Sequence, residues 1–164
     1  MGDEFMRYLK ISLAGFAAFF CLMYGLQNLA NLHAAYGFVA LMVGMEGHVA
    51  YPDHLGPSVQ APALIWTMLA VIIALEFAAG ALAAKGAFDL WLARGASAAE
   101  FNASKRFALL GTGLAVVLWF GIFSAIGGAY FQMWQTEAGN GALEGAFWYS
   151  LQNGLVWLML RADD

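Results

Sequence analysis

Glu76 has the clearest capacity for chemistry in this sequence, because it is an acid inside a long apolar run. It stands between Leu75 and Phe77, and no basic residue lies within eight positions of it. A carboxylate in hydrocarbon is costly, so Glu76 must face other helices, face a partner or carry a proton. Three interpretations stay open: a proton relay or ligand anchor, a neutral carboxyl that bonds across helices, and an interfacial carboxylate, since Lys85 lies only about 13 Å further along a helix.

Two pairs of amide side chains are the other polar candidates. Gln27 and Asn28 come late in the first apolar run, and Gln152 and Asn153 lie within the last one. Such side chains join transmembrane helices through hydrogen bonds worth about 1 kcal/mol or less each. Together with Glu76 they predict a polar site inside the membrane. This site either holds helices together through hydrogen bonds or forms a ligand pocket.

Metal and cofactor chemistry is poorly supported. The histidines and two neighbouring acids share one stretch of the chain: His33, Glu46, His48, Asp53 and His54. Imidazole and carboxylate suit zinc or copper, but these spacings match no strong metal signature. No apolar run clearly holds a histidine for a bis-histidine haem, and motifs for serine hydrolysis, phosphate binding and dithiol redox chemistry are missing from the sequence. We therefore expect no enzyme, no metal and no cofactor.

The composition explains which elements must position these residues. The 164 residues are 62% hydrophobic and only 11% charged, whereas a soluble domain carries about 25% charged residues. A soluble fold of this size could not bury so much apolar surface. Crossing a bilayer takes about 20 helical residues, and four apolar runs meet this length: residues 8–31, 61–84, 107–131 and 142–160. The sequence predicts an all-α membrane protein, a four-helix transmembrane bundle forming one domain.

The distribution of charge predicts the orientation. The seven basic residues are Arg7, Lys10, Lys85, Arg94, Lys105, Arg106 and Arg161. With four spans they all fall on one side, whereas loops 32–60 and 132–141 contain none. By the positive-inside rule both termini and loop 85–106 are cytoplasmic. The basic residues are too few for a nucleic-acid surface, so we expect membrane lipids around the chain and no nucleic acid.

Local patterns refine this picture. Loop 32–60 is too apolar for a mobile linker, so we expect a partly structured periplasmic loop, folded onto the membrane face as a short helix or strand pair. Ser97 and Glu100 match a capping box, which predicts that the third helix starts near Ser97. Small residues four positions apart, Gly111 with Ala115 and Gly121 with Ala125, are typical of close helix packing.

Three stretches carry a resemblance to a known family: residues 93–106, Trp119-Phe120 with 126–128, and 131–135 with Asn140-Gly141. The sequence resembles the bacterial "predicted small integral membrane protein" family, domain of unknown function 2165, over essentially its whole length. Family members also place an acid in the second helix, matched here by Glu76. They tend to have Gln-His where this chain has Ala40-Leu41, and Glu-Trp where it has Ala129-Tyr130.

The resemblance implies a four-helix protein of the bacterial inner membrane and no assigned activity. Its motifs also suggest an interaction motif, formed by Gly127, Gly128, Trp134, Gln135 and Asn140. Two functions follow from the sequence. The first is an accessory or structural subunit, bound to other integral membrane subunits of a respiratory, photosynthetic or transport complex, or to further copies of itself. The alternative is a binder or transporter of a lipid, a quinone or a proton-coupled substrate, with Glu76 in its site.

Overall fold

The computed structural model describes residues 2–164, with side chains from Glu4 onward, and every regular element in that part of the chain is helical. In chain order these are α1 Gly2–Ala30, α2 Leu32–Gly44, α3 Pro62–Leu92, α4 Ala98–Ser104, α5 Arg106–Val116, a π-helical segment Val117–Tyr130, a 3-10 turn Met133–Gln135 and α6 Glu137–Arg161. A chain this apolar is expected to form helices in a membrane. Lipid offers no hydrogen-bond partners for peptide groups, and a helix forms these backbone hydrogen bonds internally.

Three of the described helices are long and apolar enough to cross a membrane: Glu4–Ala30, Pro62–Leu92 and Ala98–Tyr130. The third is a composite of α4, α5 and the π-helical segment. Helix α6 has 25 residues, which is a sufficient length, but Glu137, Glu144 and Arg161 make it less apolar. The all-helical membrane class predicted from the sequence is confirmed, while the number of spans and their orientation stay predictions.

Helix α3 is the centre of the fold and packs against both α1 and α5. Small residues line its buried face at Ala79, Gly80, Ala83 and Gly86. A Cβ atom at Gly80 would stand 2.6 Å from Leu22 Cγ of α1. Glycine on this face therefore lets the neighbouring helices approach to backbone distance, as is common between membrane helices.

Of the two small-residue pairs predicted to mark close helix packing, one lies at a close helix contact and the other does not. Gly111 faces the backbone of Ala83, and Ala115 is fully buried in the core, so the expected close approach occurs here. At Gly121 an added Cβ would meet only Val117 of its own helix, at 3.9 Å, and Ala125 is exposed. Spacing alone did not separate the two pairs, because it does not specify which face of a helix meets a neighbour.

The first predicted outer loop begins as a helix. Helix α2 follows α1 after a single irregular residue, Asn31, whose side-chain amide donates to the Gln27 carbonyl at 2.9 Å. Its aromatic residue Tyr36 packs on Trp66 of α3, with ring centroids 4.6 Å apart. The expected structured loop is thus a helix lying along the first part of α3, and the strand-pair alternative is wrong.

The end of the bundle that carries Arg7, Lys10 and Lys105, here called the basic end, closes around the last residues of the chain. Lys10 is 2% exposed, and its ammonium donates to the Ala162 carbonyl at 2.8 Å. Lys105 donates to the same carbonyl at 2.7 Å. Arg7 forms an ion pair with Asp164. Long cationic side chains thus tie α1, α4 and the end of α6 together.

The connection from α3 to α5 is shorter than the predicted loop 85–106, because α3 extends past residue 84, but the helix expected near Ser97 is present. Helix α3 continues to Leu92, and α4 begins at Ala98 with Ser97 as its N-cap. Ser97 accepts from the Glu100 backbone N–H while the Glu100 carboxylate accepts from the Ser97 N–H, so the predicted capping box is present.

Candidate functional site

Glu76 lies at the middle of α3, which runs from Pro62 to Leu92. By helical rise it is about 21 Å from the first residue and about 24 Å from the last. Its side chain is only 1% exposed. Glu76 is therefore not near an end of its helix, and its carboxyl belongs to the interior of the bundle; its depth in the membrane stays a prediction.

Asn28 of α1 is the hydrogen-bond partner of this carboxyl. Its side-chain amide donates to both oxygens of Glu76, at 3.0 Å to Oε1 and 2.9 Å to Oε2. The ion pairs found among the described residues do not involve Glu76. A buried carboxyl whose partner is a neutral amide avoids the cost of an isolated charge when it carries a proton.

Two neighbouring helices change geometry at the level of Glu76. Helix α1 ends at Ala30, two residues after Asn28. On the other side, Gly86 faces Ala108 and Gly111 faces Ala83, so α3 and α5 run antiparallel. The same antiparallel pairing of α3 with α5 places Val117, where the π-helical segment begins, opposite residue 77 of α3. Irregular helices beside a buried polar group are typical of ligand and ion sites in membrane proteins.

Four aromatic rings form a closed cluster one helical turn from Asn28. Phe20 and Tyr24 of α1, Trp119 of the π-helical segment and Tyr149 of α6 all contact one another, with centroids 4.8–5.9 Å apart. Edge-to-face and tilted pairs of this kind each add about 0.5–1.5 kcal/mol beyond their buried area. The cluster joins α1, the π-helical segment and α6 on this side of the bundle. Sequence analysis missed it, because the four residues share no local pattern.

The other amides predicted to belong to the polar site lie apart from this pair. Gln27 is exposed on α1. Asn153 is buried, at 4% exposed, and its amide donates to the Tyr149 carbonyl of its own helix at 2.9 Å. Gln152 is exposed on α6. Of the five polar residues predicted to share a site, the structure brings Asn28 and Glu76 together.

The residues of the suggested interaction motif make contacts within the chain. Gln135 accepts from the backbone N–H groups of Ala50 and Tyr51, at 2.8 and 3.0 Å. Trp134 packs edge-on against Tyr51, with centroids 5.2 Å apart. These contacts connect the segment after the π-helical segment with the long loop after α2, so this part of the motif fastens two connections to each other.

The glycines of the motif and Asn140 support the same region. An added Cβ at Gly127 would stand 2.6 Å from Met133 Sδ, and one at Gly128 would stand 2.9 Å from Leu143 Cδ2. The Asn140 N–H donates to the Thr136 carbonyl at 2.9 Å, in the first turn of α6. Close packing therefore explains why small residues stand at positions 127 and 128.

The histidines are dispersed. His33 lies in α2 against Trp66, with ring centroids 6.5 Å apart. Burial lowers the pKa of His48 because it disfavours the charged imidazolium, and the nearby His54 lowers it further by charge repulsion. Within residues 4–164, whose side chains the structure describes, no group of three or more His, Cys, Asp or Glu side chains is close enough to hold a metal ion.

Two openings in the apolar surface could accommodate hydrocarbon. A cavity of about 240 Å³ lies between α2, α3 and the π-helical segment. Its hydroxyl-bearing residue, Thr67, donates to the Ala63 carbonyl at 2.8 Å and so offers little to orient a polar ligand. A wider groove of about 880 Å³ lies between α5 and α6.

The groove between α5 and α6 has small residues on its floor and bulky residues on its sides. Gly113, Ser150 and Gly154 form the floor, and the Ser150 hydroxyl is bonded to the Phe147 carbonyl at 2.9 Å. The exposed apolar side chains around them are Leu110, Val117, Phe120, Phe147, Leu151, Leu155 and Leu158. A small-residue floor between apolar walls is the shape into which another transmembrane helix packs.

Comparison with known proteins agrees with this architecture. A family model described as "Predicted small integral membrane protein (DUF2165)" matches residues 6–162. The chain belongs to this family. The resemblance found in the sequence is thereby confirmed, and the chain is an integral membrane protein with several apolar helices. No curated protein and no solved structure matches it.

Proposed function

We propose that this protein is a non-catalytic accessory subunit of a larger assembly in the bacterial inner membrane. The groove between α5 and α6 is the main support for the proposal. It is apolar and contains small residues, so a transmembrane helix of another subunit can pack into it. Its lining is apolar apart from the Ser150 hydroxyl, which is bonded within its own helix, and the Trp157 indole N–H, so the partner is a largely apolar transmembrane helix. The assembly would be a respiratory, photosynthetic or transport complex.

In the proposed arrangement the chain crosses the membrane four times, with α6 as the last span. Its termini and the connection between α3 and α5 are cytoplasmic. Clustering of Arg7, Lys10 and Lys105 at one end of the bundle supports this orientation, because basic residues are retained on the cytoplasmic side. The loop after α2 and the turn before α6 would then be periplasmic.

Replacing Gly154 with leucine tests the subunit proposal. An added Cβ at Gly154 would meet only Val116 Cγ2, at 3.9 Å, so the chain should fold as before. The leucine would fill the groove and exclude a partner helix. We expect partner subunits that copurify after mild detergent extraction to fall at least about tenfold, the effect of about 1.4 kcal/mol of lost binding energy. Quantitative mass spectrometry of the purified protein measures this loss.

Gly141→Leu is the matched control, because Gly141 is on the same helix with open space around it and lies outside the groove. It should retain the partners. Recovery of the wild-type protein without stoichiometric partners would contradict the proposal, and so would identical partner yields from wild type and Gly154→Leu.

A second candidate function, the handling of a proton-coupled small molecule, is favoured by the position of Glu76. The carboxyl is buried at the middle of α3, at the level where α1 ends and the π-helical segment begins. Acids inside membrane spans commonly serve proton relays and substrate sites. Here the ligand would reach Glu76 through movement of the irregular helices beside it.

Glu76→Gln tests this second function in vesicles loaded with a pH-sensitive dye. Glutamine keeps the shape and can still bond to Asn28, so the fold should persist while proton-linked flux disappears. Glu144→Gln, at an exposed position of α6, should retain the flux. The candidate would be excluded if wild-type vesicles showed no flux above protein-free vesicles, or if Glu76→Gln carried the same flux.

A further inference from the structure

Two of the seven basic side chains have no protein partner within residues 4–164. Arg106 and Arg161 are exposed, and neither forms a hydrogen bond or an ion pair in that part of the chain. The other basic residues all have a partner: Arg7, Lys10 and Lys105 hold the last residues of the chain, Lys85 pairs with Asp89, and Arg94 donates to the Trp91 carbonyl. The guanidinium groups of Arg106 and Arg161 are therefore available to a ligand.

Both arginines lie where the groove between α5 and α6 reaches the basic end. Helix α5 begins at Arg106, four residues before Leu110 of the groove, and α6 ends at Arg161, four residues after Trp157 of the groove. Residues four apart lie on the same face of a helix. The Arg161 guanidinium carbon is 5.3 Å from the centre of the Trp157 ring, a cation–π contact that keeps it beside the groove. The two walls of the apolar groove thus each end in a positive charge.

The polar groups at this end of the groove are all hydrogen-bond donors. An added Cβ at Gly113 would be 3.5 Å from Trp157 Nε1, so the indole nitrogen faces α5 across the groove. Guanidinium and indole groups donate and do not accept. The next acids along the chain do not neutralise Arg161, because Asp164 pairs with Arg7 and Lys10, and Asp163 forms no ion pair within residues 4–164. The matching ligand group is an anion with several acceptor oxygens, such as a phosphate.

The length of the groove indicates what the phosphate is attached to. The groove extends from Leu109 to Phe120 on α5 and from Leu158 to Phe147 on α6, which is about 16 Å by helical rise. One leaflet contributes about half of the 30 Å of hydrocarbon in a bilayer. An apolar groove of about 880 Å³ that starts at two positive charges and has the depth of one leaflet fits a phospholipid. A free phosphate ion would leave its apolar walls uncovered.

We propose that the basic end of this groove binds an anionic phospholipid, whose phosphate contacts Arg106 and Arg161 and whose acyl chain lies along the exposed Leu110 and Leu158. A zwitterionic headgroup fits less well, because its cationic group would be repelled by the two guanidinium groups. The proposal goes beyond the accessory function, since Arg161 lies about 10 Å further along α6 than Gly154. A partner helix on the glycine floor leaves the phosphate site open.

Titrating the purified full-length chain in detergent with dioleoyl phosphatidylglycerol or dioleoyl phosphatidylcholine, followed by native mass spectrometry, tests the proposal. We expect the wild type to bind one phosphatidylglycerol at least about tenfold more tightly than phosphatidylcholine, because each basic group near an anionic lipid contributes about fivefold in affinity. Replacing both arginines, Arg106→Gln with Arg161→Gln, should bring the two affinities to within about twofold. Both positions are exposed, so the fold should persist, which circular dichroism will verify.

Lys85→Gln with Arg94→Gln is the matched control, because it removes the same charge from residues outside the groove. This pair should retain the preference for phosphatidylglycerol, and inorganic phosphate should not displace the lipid. Equal affinity of the wild type for both lipids, equal loss of preference in the two double variants, or displacement by inorganic phosphate would each overturn the proposal. Lipid binding is measured on the isolated chain, so the result does not depend on the recovery of a partner subunit.

Discussion

Replacing Gly111 with leucine should prevent α3 and α5 from packing and leave little folded protein. An added Cβ at Gly111 would overlap the backbone of Ala83, and one at Gly86 would overlap the backbone of Ala108. Overpacking costs about 1–3 kcal/mol where side chains can adjust. Here the obstacle is main chain, so the helices themselves must separate. We expect a loss of at least about 3 kcal/mol, a large share of the 5–15 kcal/mol that is typical of folded proteins.

Gly121→Leu separates a packing effect from a general effect of leucine for glycine. An added Cβ at Gly121 would meet only Val117 Cγ1 of the same helix, at 3.9 Å, so this variant should unfold at nearly the wild-type temperature. Thermal unfolding in detergent, followed by size-exclusion recovery of the unaggregated protein, gives the comparison. Equal stability of Gly111→Leu and wild type would show that the close approach of α3 and α5 contributes little.

The helical membrane class could be predicted from the sequence, because it follows from average properties of long segments. Apolar runs of sufficient length require helices in lipid. The cap at Ser97 was also predictable, since a capping box is formed by residues three positions apart. The ends of the helices were harder to predict. The apolar run was expected to end at residue 84, but α3 continues to Leu92, because Phe88, Leu90, Trp91 and Leu92 extend its apolar pattern.

The candidate site was predictable only in part. Glu76 is conspicuous as a single charge in an apolar run, but its partner could be any of several amides. Asn28 was selected by the register between α1 and α3, which depends on the close contact of Gly80 with Leu22. The π-helical segment was not predicted either. Its i to i+5 hydrogen bonds, such as that from Phe131 to Ile126 at 3.0 Å, correspond to no sequence signature.

Asn28→Leu should destabilise the protein more than the simultaneous replacement of Asn28 and Glu76 by leucine. The single change removes both hydrogen bonds from a carboxyl that is 1% exposed, leaving a polar group in an apolar interior. An unsatisfied buried group costs about 1–3 kcal/mol, whereas removing both partners together can be nearly neutral. The asymmetry arises because the cost comes from the orphaned carboxyl rather than from the lost amide.

A double-mutant cycle of Asn28→Leu and Glu76→Leu, measured by unfolding in mixed micelles, isolates this interaction. We expect a coupling energy of about 1 kcal/mol or more, above the average of about 0.6 kcal/mol for hydrogen bonds between membrane helices. Gln27→Leu, at the adjacent exposed position, should change stability little in either background. Additive effects of the two substitutions would mean that Asn28 does not stabilise Glu76. In that case the carboxyl would have to be satisfied by another group, and its burial would favour the ligand-handling function over a purely structural one.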